Sequence, residues 1–140
     1  MKIYQIIESI GKVKTKKERI AILQKHNSLG LRDILKGAYD ETIQWDLPEG
    51  EVPLKEEEIP EKPKWNLVEV TPKLAICVKN RRNANVPSLK KEVTFLELVK
   101  NVDRKDAEIL LKMKDKKFKQ AFHGLTKALV QEAFPNLIVK

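Results

Sequence analysis

Basic side chains gathered at three places along the chain are the residues whose types and spacing best support a chemical role. The first cluster falls where a helix is predicted to begin, the second in a predicted loop and the third near a predicted helix end. Their members are Lys12, Lys14, Lys16 and Lys17; Lys79, Arg81 and Arg82; and Lys112, Lys114, Lys116, Lys117 and Lys119. Lysine and arginine at such places can reach a phosphate backbone without disturbing a core. The clusters therefore predict contact with DNA or RNA.

The third cluster carries the sharpest form of this prediction. We expect charge reversal at Lys114, Lys116 and Lys117 to weaken nucleic-acid binding without unfolding the protein. A structural explanation stays open beside it, because basic residues in the last turn of a helix also complement the helix dipole. Whether the three clusters converge on one face depends on the fold.

Catalytic chemistry is poorly supported by the sequence. His26 falls at a predicted helix end and His123 in a predicted turn, and neither has the neighbours that nucleophilic or acid–base catalysis needs. Cys77 stands among apolar residues, which is typical of a small buried side chain. The acidic residues do not have calcium-loop spacing, and glycine-rich phosphate loops are absent. We predict a non-enzymatic protein that uses no cofactor and no metal.

Charge and proline content divide the chain into three parts. The formal net charge is +8, but residues 44–61 hold seven acidic residues and one lysine. The prolines at 48, 53, 60 and 63 exclude a continuous helix there. Residues 44–64 are therefore either a solvated linker or a strap whose apolar residues lie on the helical body. Those residues are Trp45, Leu47, Val52, Leu54 and Ile59, followed by Trp65.

Apolar spacing on either side of this segment predicts helices. In residues 1–43, isoleucines and leucines recur three and four positions apart, predicting helices near 2–10, 16–26 and 29–39. In residues 65–140, Thr71, Ser88, Asp103 and Thr126 are the expected N-caps of four more. The predicted fold is all-α, a compact bundle of about seven short helices, in which the two helical parts form one domain or two.

A family resemblance adds a biological setting. The segments "KTKKERIAILQKHNSLGLRDIL", "LPEG" and "MKDKK…GLTKALVQEAFP" resemble small uncharacterised proteins of tailed bacteriophages, including marine myoviruses. The resemblance spans nearly the whole chain and implies no catalytic residue. It implies a phage protein acting in the host bacterial cytoplasm, and no apolar run approaches the roughly 18 residues of a membrane span.

Three functions remain open at this stage. The first is an accessory protein that binds nucleic acid, or a nucleic-acid-processing complex, through the basic clusters. The second is a protein-interaction factor that docks on a host or phage replication or transcription protein through Trp45 and Trp65. The third is a minor virion component.

Overall fold

Isoleucines and leucines three and four positions apart make the N-terminal part of the chain into three helices with buried faces. The computed structural model describes residues 1–50, 52 and 55–138, and the predicted anchor Leu54 lies outside them. Helix α1 is Ile3–Lys12, α2 is Lys16–Lys25 and α3 is Leu29–Tyr39. The hydroxyl groups of Thr15 and Ser28 accept hydrogen bonds from backbone N–H groups in the first turns of α2 and α3. All three helices agree with the prediction to within two residues.

The C-terminal part adds five helices of unequal length. These are α4 (Leu67–Val70), α5 (Ser88–Lys100), α6 (Arg104–Lys114), α7 (Phe118–Ala121) and α8 (Lys127–Ala133). Two 3-10 helices, Glu56–Glu58 and Thr71–Cys77, complete the regular elements of the described residues. The prediction of an all-α fold is confirmed, with eight α-helices in the described residues instead of about seven.

Two predicted N-caps are wrong. Asn66 caps α4 by accepting a hydrogen bond from the Glu69 N–H, and the Glu69 side chain accepts one from the Asn66 N–H. Because this helical segment starts before Thr71, that residue continues the turn into a 3-10 helix. Ser88 is the first residue of α5, and Pro87 takes the N-cap position without a side-chain bond.

Residues 44–64 are tied to the helical body at several described positions. The Asp46 N–H donates to the Cys77 carbonyl (2.8 Å) and the Lys79 N–H donates to the Gln44 carbonyl (2.7 Å). Farther along, the Glu58 carboxylate pairs with Lys100 at 3.0 Å. In its described parts this segment therefore lies against the helical body as a strap.

Helices from both ends of the chain share one hydrophobic core. Helix α2 packs against α8, and α3 packs against α6. Leu23 and Leu31 from the N-terminal part and Leu110 and Val130 from the C-terminal part are fully buried in the same cluster. Within the described residues, none of the helices has the length and apolar character that a membrane crossing requires.

Candidate nucleic-acid interface

The connection between α1 and α2 holds the first basic cluster on a fixed backbone. The Arg19 guanidinium donates to the carbonyls of Ile10 (3.2 Å) and Val13 (3.0 Å), on the helix and connection that precede it. Its other side lies against Gly124, where a Cβ would come within 2.7 Å of the guanidinium carbon. Gly124 also has a φ of +81°, which favours glycine. Arg19 thus links this connection, called here the first basic loop (residues 12–17), to the turn before α8.

The lysines of the first basic loop remain at the surface. All four are exposed, and only Lys16 has an ion-pair partner among the described residues, the carboxylate of Glu132 on α8. Lys12, Lys14 and Lys17 have no carboxylate within ion-pair distance in the same part of the chain. A fixed backbone therefore presents three unneutralised cations to solvent.

Residues 79–86 form a second basic loop that is built around a buried amide. The Asn83 side chain, whose residue is 6% exposed, donates to the carbonyls of Ala75 (2.7 Å) and Val78 (2.8 Å). Its backbone N–H donates to the side chain of Asn80 (2.9 Å). Around this centre the three cations of the cluster, Lys79, Arg81 and Arg82, are exposed and have no ion pair within the described residues.

Two lysines of the third cluster make hydrogen bonds inside the protein. The side chain of Lys114 is only 2% exposed, and its ammonium donates to the carbonyls of Pro48 (2.7 Å) and Gly50 (3.0 Å) and to Asp115 (2.6 Å). Little of the Lys114 side chain is therefore left for contact with nucleic acid. The physical reason is that the strap crosses the end of α6 and directs its carbonyl groups at this side chain.

Lys116 has a similar internal role. Its ammonium donates to the carbonyls of Gly37 (2.6 Å) and Asp40 (3.0 Å), which end α3, and a cation suits the negative end of the helix dipole. Burial lowers the pKa of this ammonium from its ordinary value. Lys116 is nevertheless an exposed residue, so its contact with nucleic acid stays a prediction. Lys112, Lys117 and Lys119 are the remaining members, and Lys117 lies 4.0 Å from Glu49.

The two tryptophans proposed as partner anchors are both partly buried and pack against the core. Trp45 donates its indole N–H to the Gly37 carbonyl (3.0 Å) and forms an isolated antiparallel bridge with Val78. Its ring packs so closely that a Cβ on Gly37 would lie 2.8 Å from it, so Trp45 anchors the strap, and a contact with a partner stays a prediction for its exposed part. Trp65 is half-buried beneath the ammonium groups of Lys64 and Lys73, and its role stays a prediction.

The basic loops are held by different elements. The first is tied through Arg19 and Lys16 to the turn before α8 and to α8 itself. The second is tied to the strap, where the Lys79 N–H meets Gln44, and to the 3-10 helix through Asn83. The two sets of surface cations are therefore fixed by different parts of the fold.

The groups most often used in catalysis do not assemble around these loops. Cys77 is fully buried, and burial raises the pKa of its thiol to about 11. In the described ranges, no three His, Cys, Asp or Glu side chains are grouped so that they could hold a metal ion.

Asp106, in the first turn of α6, is a largely buried acidic residue that sequence analysis missed. The residue is 6% exposed, and no hydrogen bond or ion pair is found for it in the described part of the chain. Burial, assisted by the negative charge of Asp103, raises the pKa of its carboxyl group to about 6, against an ordinary value of 3.8. The helical spacing of Asp106 could have predicted its burial, because the residue lies three and seven positions before the buried Ile109 and Met113.

The raised pKa of Asp106 predicts a stability that depends on pH. Between pH 3.8 and about 6, the unfolded chain loses this proton while the folded chain keeps it, so the free energy of unfolding falls as pH rises. After allowance for solvent screening, we expect a cost of about 2 kcal/mol above pH 6. Asp106→Asn should be more stable than wild type by that amount at pH 7 and equal to it near pH 4. Urea unfolding across this range measures the difference, which should stay flat for Glu108→Gln, an exposed carboxylate on α6.

Sequence comparison places part of the chain in a family. A family model described as a family of unknown function, DUF6433, matches residues 6–120, which include both basic loops. No curated protein matches the chain.

Proposed function

We propose that this chain, which belongs to the DUF6433 family of unknown function, is a non-enzymatic accessory protein that binds DNA or RNA, or a nucleic-acid-processing complex. The observation that carries the proposal is the first basic loop, where Arg19 fixes the backbone while Lys12, Lys14 and Lys17 stay unneutralised. Binding to a polyanion then releases counterions and costs little backbone entropy, because the loop is ordered beforehand.

The second basic loop supports the same function with different chemistry. Arg81 and Arg82 carry planar guanidinium groups that can each make two parallel hydrogen bonds to a phosphate. Asn83 holds the loop from inside, so the arginines do not have to support its conformation. The proposed contact residues are Lys12, Lys14, Lys17, Lys79, Arg81 and Arg82, with Lys16, Lys112, Lys116, Lys117 and Lys119 as further candidates.

The setting that we propose is a phage-infected bacterium, with the protein acting in the host cytoplasm. The resemblance of its segments to tailed-phage proteins supports this setting. Replication, transcription and takeover of host machinery are the processes in which such a protein would meet nucleic acid.

Charge reversal in the first basic loop tests the proposal. We expect the wild type to bind labelled single-stranded DNA, duplex DNA or RNA, with an affinity that falls steeply as salt rises from about 50 to about 200 mM. Lys14→Glu combined with Lys17→Glu should weaken binding about tenfold or more at the lower salt and reduce the salt slope by about two. Fluorescence anisotropy measures both quantities for each nucleic acid.

A second double variant controls for overall charge. Lys25→Glu with Lys90→Glu changes the net charge equally at exposed lysines outside the basic clusters, so its affinity should fall less than about threefold. Equal losses in the two double variants, or no wild-type binding to any of the three nucleic acids at low salt, would refute the proposal. Thermal unfolding checks that each variant is folded.

Docking on a host or phage replication or transcription protein is the second candidate function. The observation that favours it is Trp65, a large aromatic side chain that remains partly exposed on the strap side. A complex of this kind would persist at high salt and resist nuclease, whereas binding through phosphate contacts would be lost under both treatments. Trp65→Ala should then abolish the salt-resistant complex.

A further inference from the structure

We infer that a pocket between α1, α6 and the turn before α8 takes one unpaired nucleobase of a strand whose phosphates lie along the first basic loop. The inference rests on the proposed function and names the form of nucleic acid, which is single-stranded. The pocket has a volume of about 240 Å³, below the range of about 300–1,000 Å³ for sites that hold whole small molecules. A space of this size suits one planar base better than a base pair or a whole nucleotide.

The pocket directly adjoins the first basic loop. Gly11 is one of its lining residues and precedes Lys12, the first residue of the loop. A Cβ on Gly11 would lie 3.4 Å from the His123 carbonyl oxygen, so the end of α1 lies against the turn before α8. Arg19, which holds the loop, contacts Gly124 in that same turn. A strand with its phosphates on the loop therefore passes beside the pocket.

Rings and apolar side chains surround the space. Tyr4, Phe122 and His123 line it, and all three residues are at least partly exposed. Ile7 and Ile109, which are at most 4% exposed, add apolar surface. Proteins that bind single strands combine a basic surface for the backbone with aromatic side chains on which bases stack. The first basic loop and this pocket supply the two parts side by side.

Phe122 and His123 are the rings that we assign to stacking. Two lysine ammonium groups lie over the Tyr4 ring, 5.0 and 5.9 Å from its centre, so that ring already has cationic neighbours. The Phe122 ring meets that of Phe118 edge-on at a centroid distance of 5.0 Å, and the Phe122 N–H donates to the Phe118 carbonyl (2.8 Å). A ring held in this way loses little further freedom when a base stacks on it.

The charges of the pocket fit a neutral base that carries an amino group. Glu8 and Lys105 neutralise each other at 2.6 Å. Glu108 is exposed and has no ion pair within the described residues, so its carboxylate is available to accept a hydrogen bond. The exocyclic amino group of cytosine donates to such a carboxylate, whereas the carbonyl that uracil has at the same position does not. Phosphates, in contrast, would be repelled here and attracted to the loop.

A comparison of strands with and without bases tests the inference. Fluorescence anisotropy at about 50 mM salt would measure the affinity for an oligocytidine of about 10 nucleotides and for an abasic strand of equal length, each made as DNA and as RNA. The wild type should bind the cytidine strand about fivefold or more tightly than the abasic strand, because a stacked base contributes that much. Phe122→Leu should remove most of this difference, while its affinity for the abasic strand and its salt slope stay unchanged.

Three further variants complete the test. Phe134→Leu makes the same change at a partly buried phenylalanine outside the pocket, so affinity should change less than about twofold. His123→Ala alters an exposed residue, so the fold is kept while cytidine binding weakens about threefold. Glu108→Gln should abolish a preference of about threefold for oligocytidine over oligouridine. Thermal unfolding checks that each variant is folded.

Equal wild-type affinity for the cytidine and abasic strands would overturn the inference, as would unchanged cytidine binding in both Phe122→Leu and His123→Ala. If salt-dependent binding persists in these cases, the proposed function still stands. Absence of wild-type binding to every strand would refute both. Equal wild-type binding of oligocytidine and oligouridine would overturn the role given to Glu108.

Discussion

Lys114→Met is expected to lower the free energy of unfolding by about 3–5 kcal/mol, because it removes the cation from a buried ion pair. Methionine keeps an apolar stem of similar length, but the Asp115 carboxylate and the carbonyls of Pro48 and Gly50 lose their shared donor. Urea unfolding followed by far-UV circular dichroism measures the change. A loss of this size would contradict the expectation that charge reversal at Lys114 leaves the protein folded.

Lys117→Met is the matched control for this substitution. Its side chain is 49% exposed, and its only described ion pair, with Glu49, spans 4.0 Å. Exposed pairs of this kind contribute little, so the free energy of unfolding should change by less than about 0.5 kcal/mol. If the two variants were equally stable, Lys114 would not be the structural cation that the geometry describes.

Phe118→Ala should also cost about 3–5 kcal/mol, because it leaves a cavity in the core. Phe118 is fully buried, and its ring meets those of Tyr39 and Phe122 edge-on, at centroid distances of 5.9 and 5.0 Å. It joins the end of α3 to the turn before α8. Denaturant unfolding measures the loss.

Phe118→Leu tests whether the filled volume or the aromatic ring contacts of Phe118 stabilise this junction. Leucine fills most of the same volume, so the cost should stay below about 1.5 kcal/mol. A leucine variant as unstable as the alanine variant would mean that the edge-on ring contacts, and not the filled volume, hold this junction.

Helix positions could be predicted from sequence because they depend on residues that are neighbours along the chain. In α1 the isoleucines at 3, 6, 7 and 10 share one face, and all four are buried. Thr15 and Ser28 cap α2 and α3 through bonds to residues three positions away. Thr71 was misassigned since Asn66 forms a reciprocal cap with Glu69 and starts the helix earlier.

The internal hydrogen bonds of the third basic cluster could not be predicted in this way, because their acceptors are distant along the chain. Lys114 is bound by carbonyls 66 and 64 positions away, and Lys116 by carbonyls 79 and 76 positions away. One local signal for Lys114 was present. It lies four and seven positions after the buried Leu110 and Ala107, so it continues the buried face of α6, whereas Lys112 does not.

The pairing of α2 with α8 has a consequence for how the protein folds during synthesis. Lys16 meets Glu132 across 116 positions of sequence, and the Gln24 side chain donates to the Ala133 carbonyl across 109 positions. Contacts of such long range slow folding, and a ribosome supplies only about 5–20 residues per second. The face of α2 that packs against α8 therefore stays uncovered until α8 has left the ribosome. The first basic loop, although made early, gains its final support among the last events of folding.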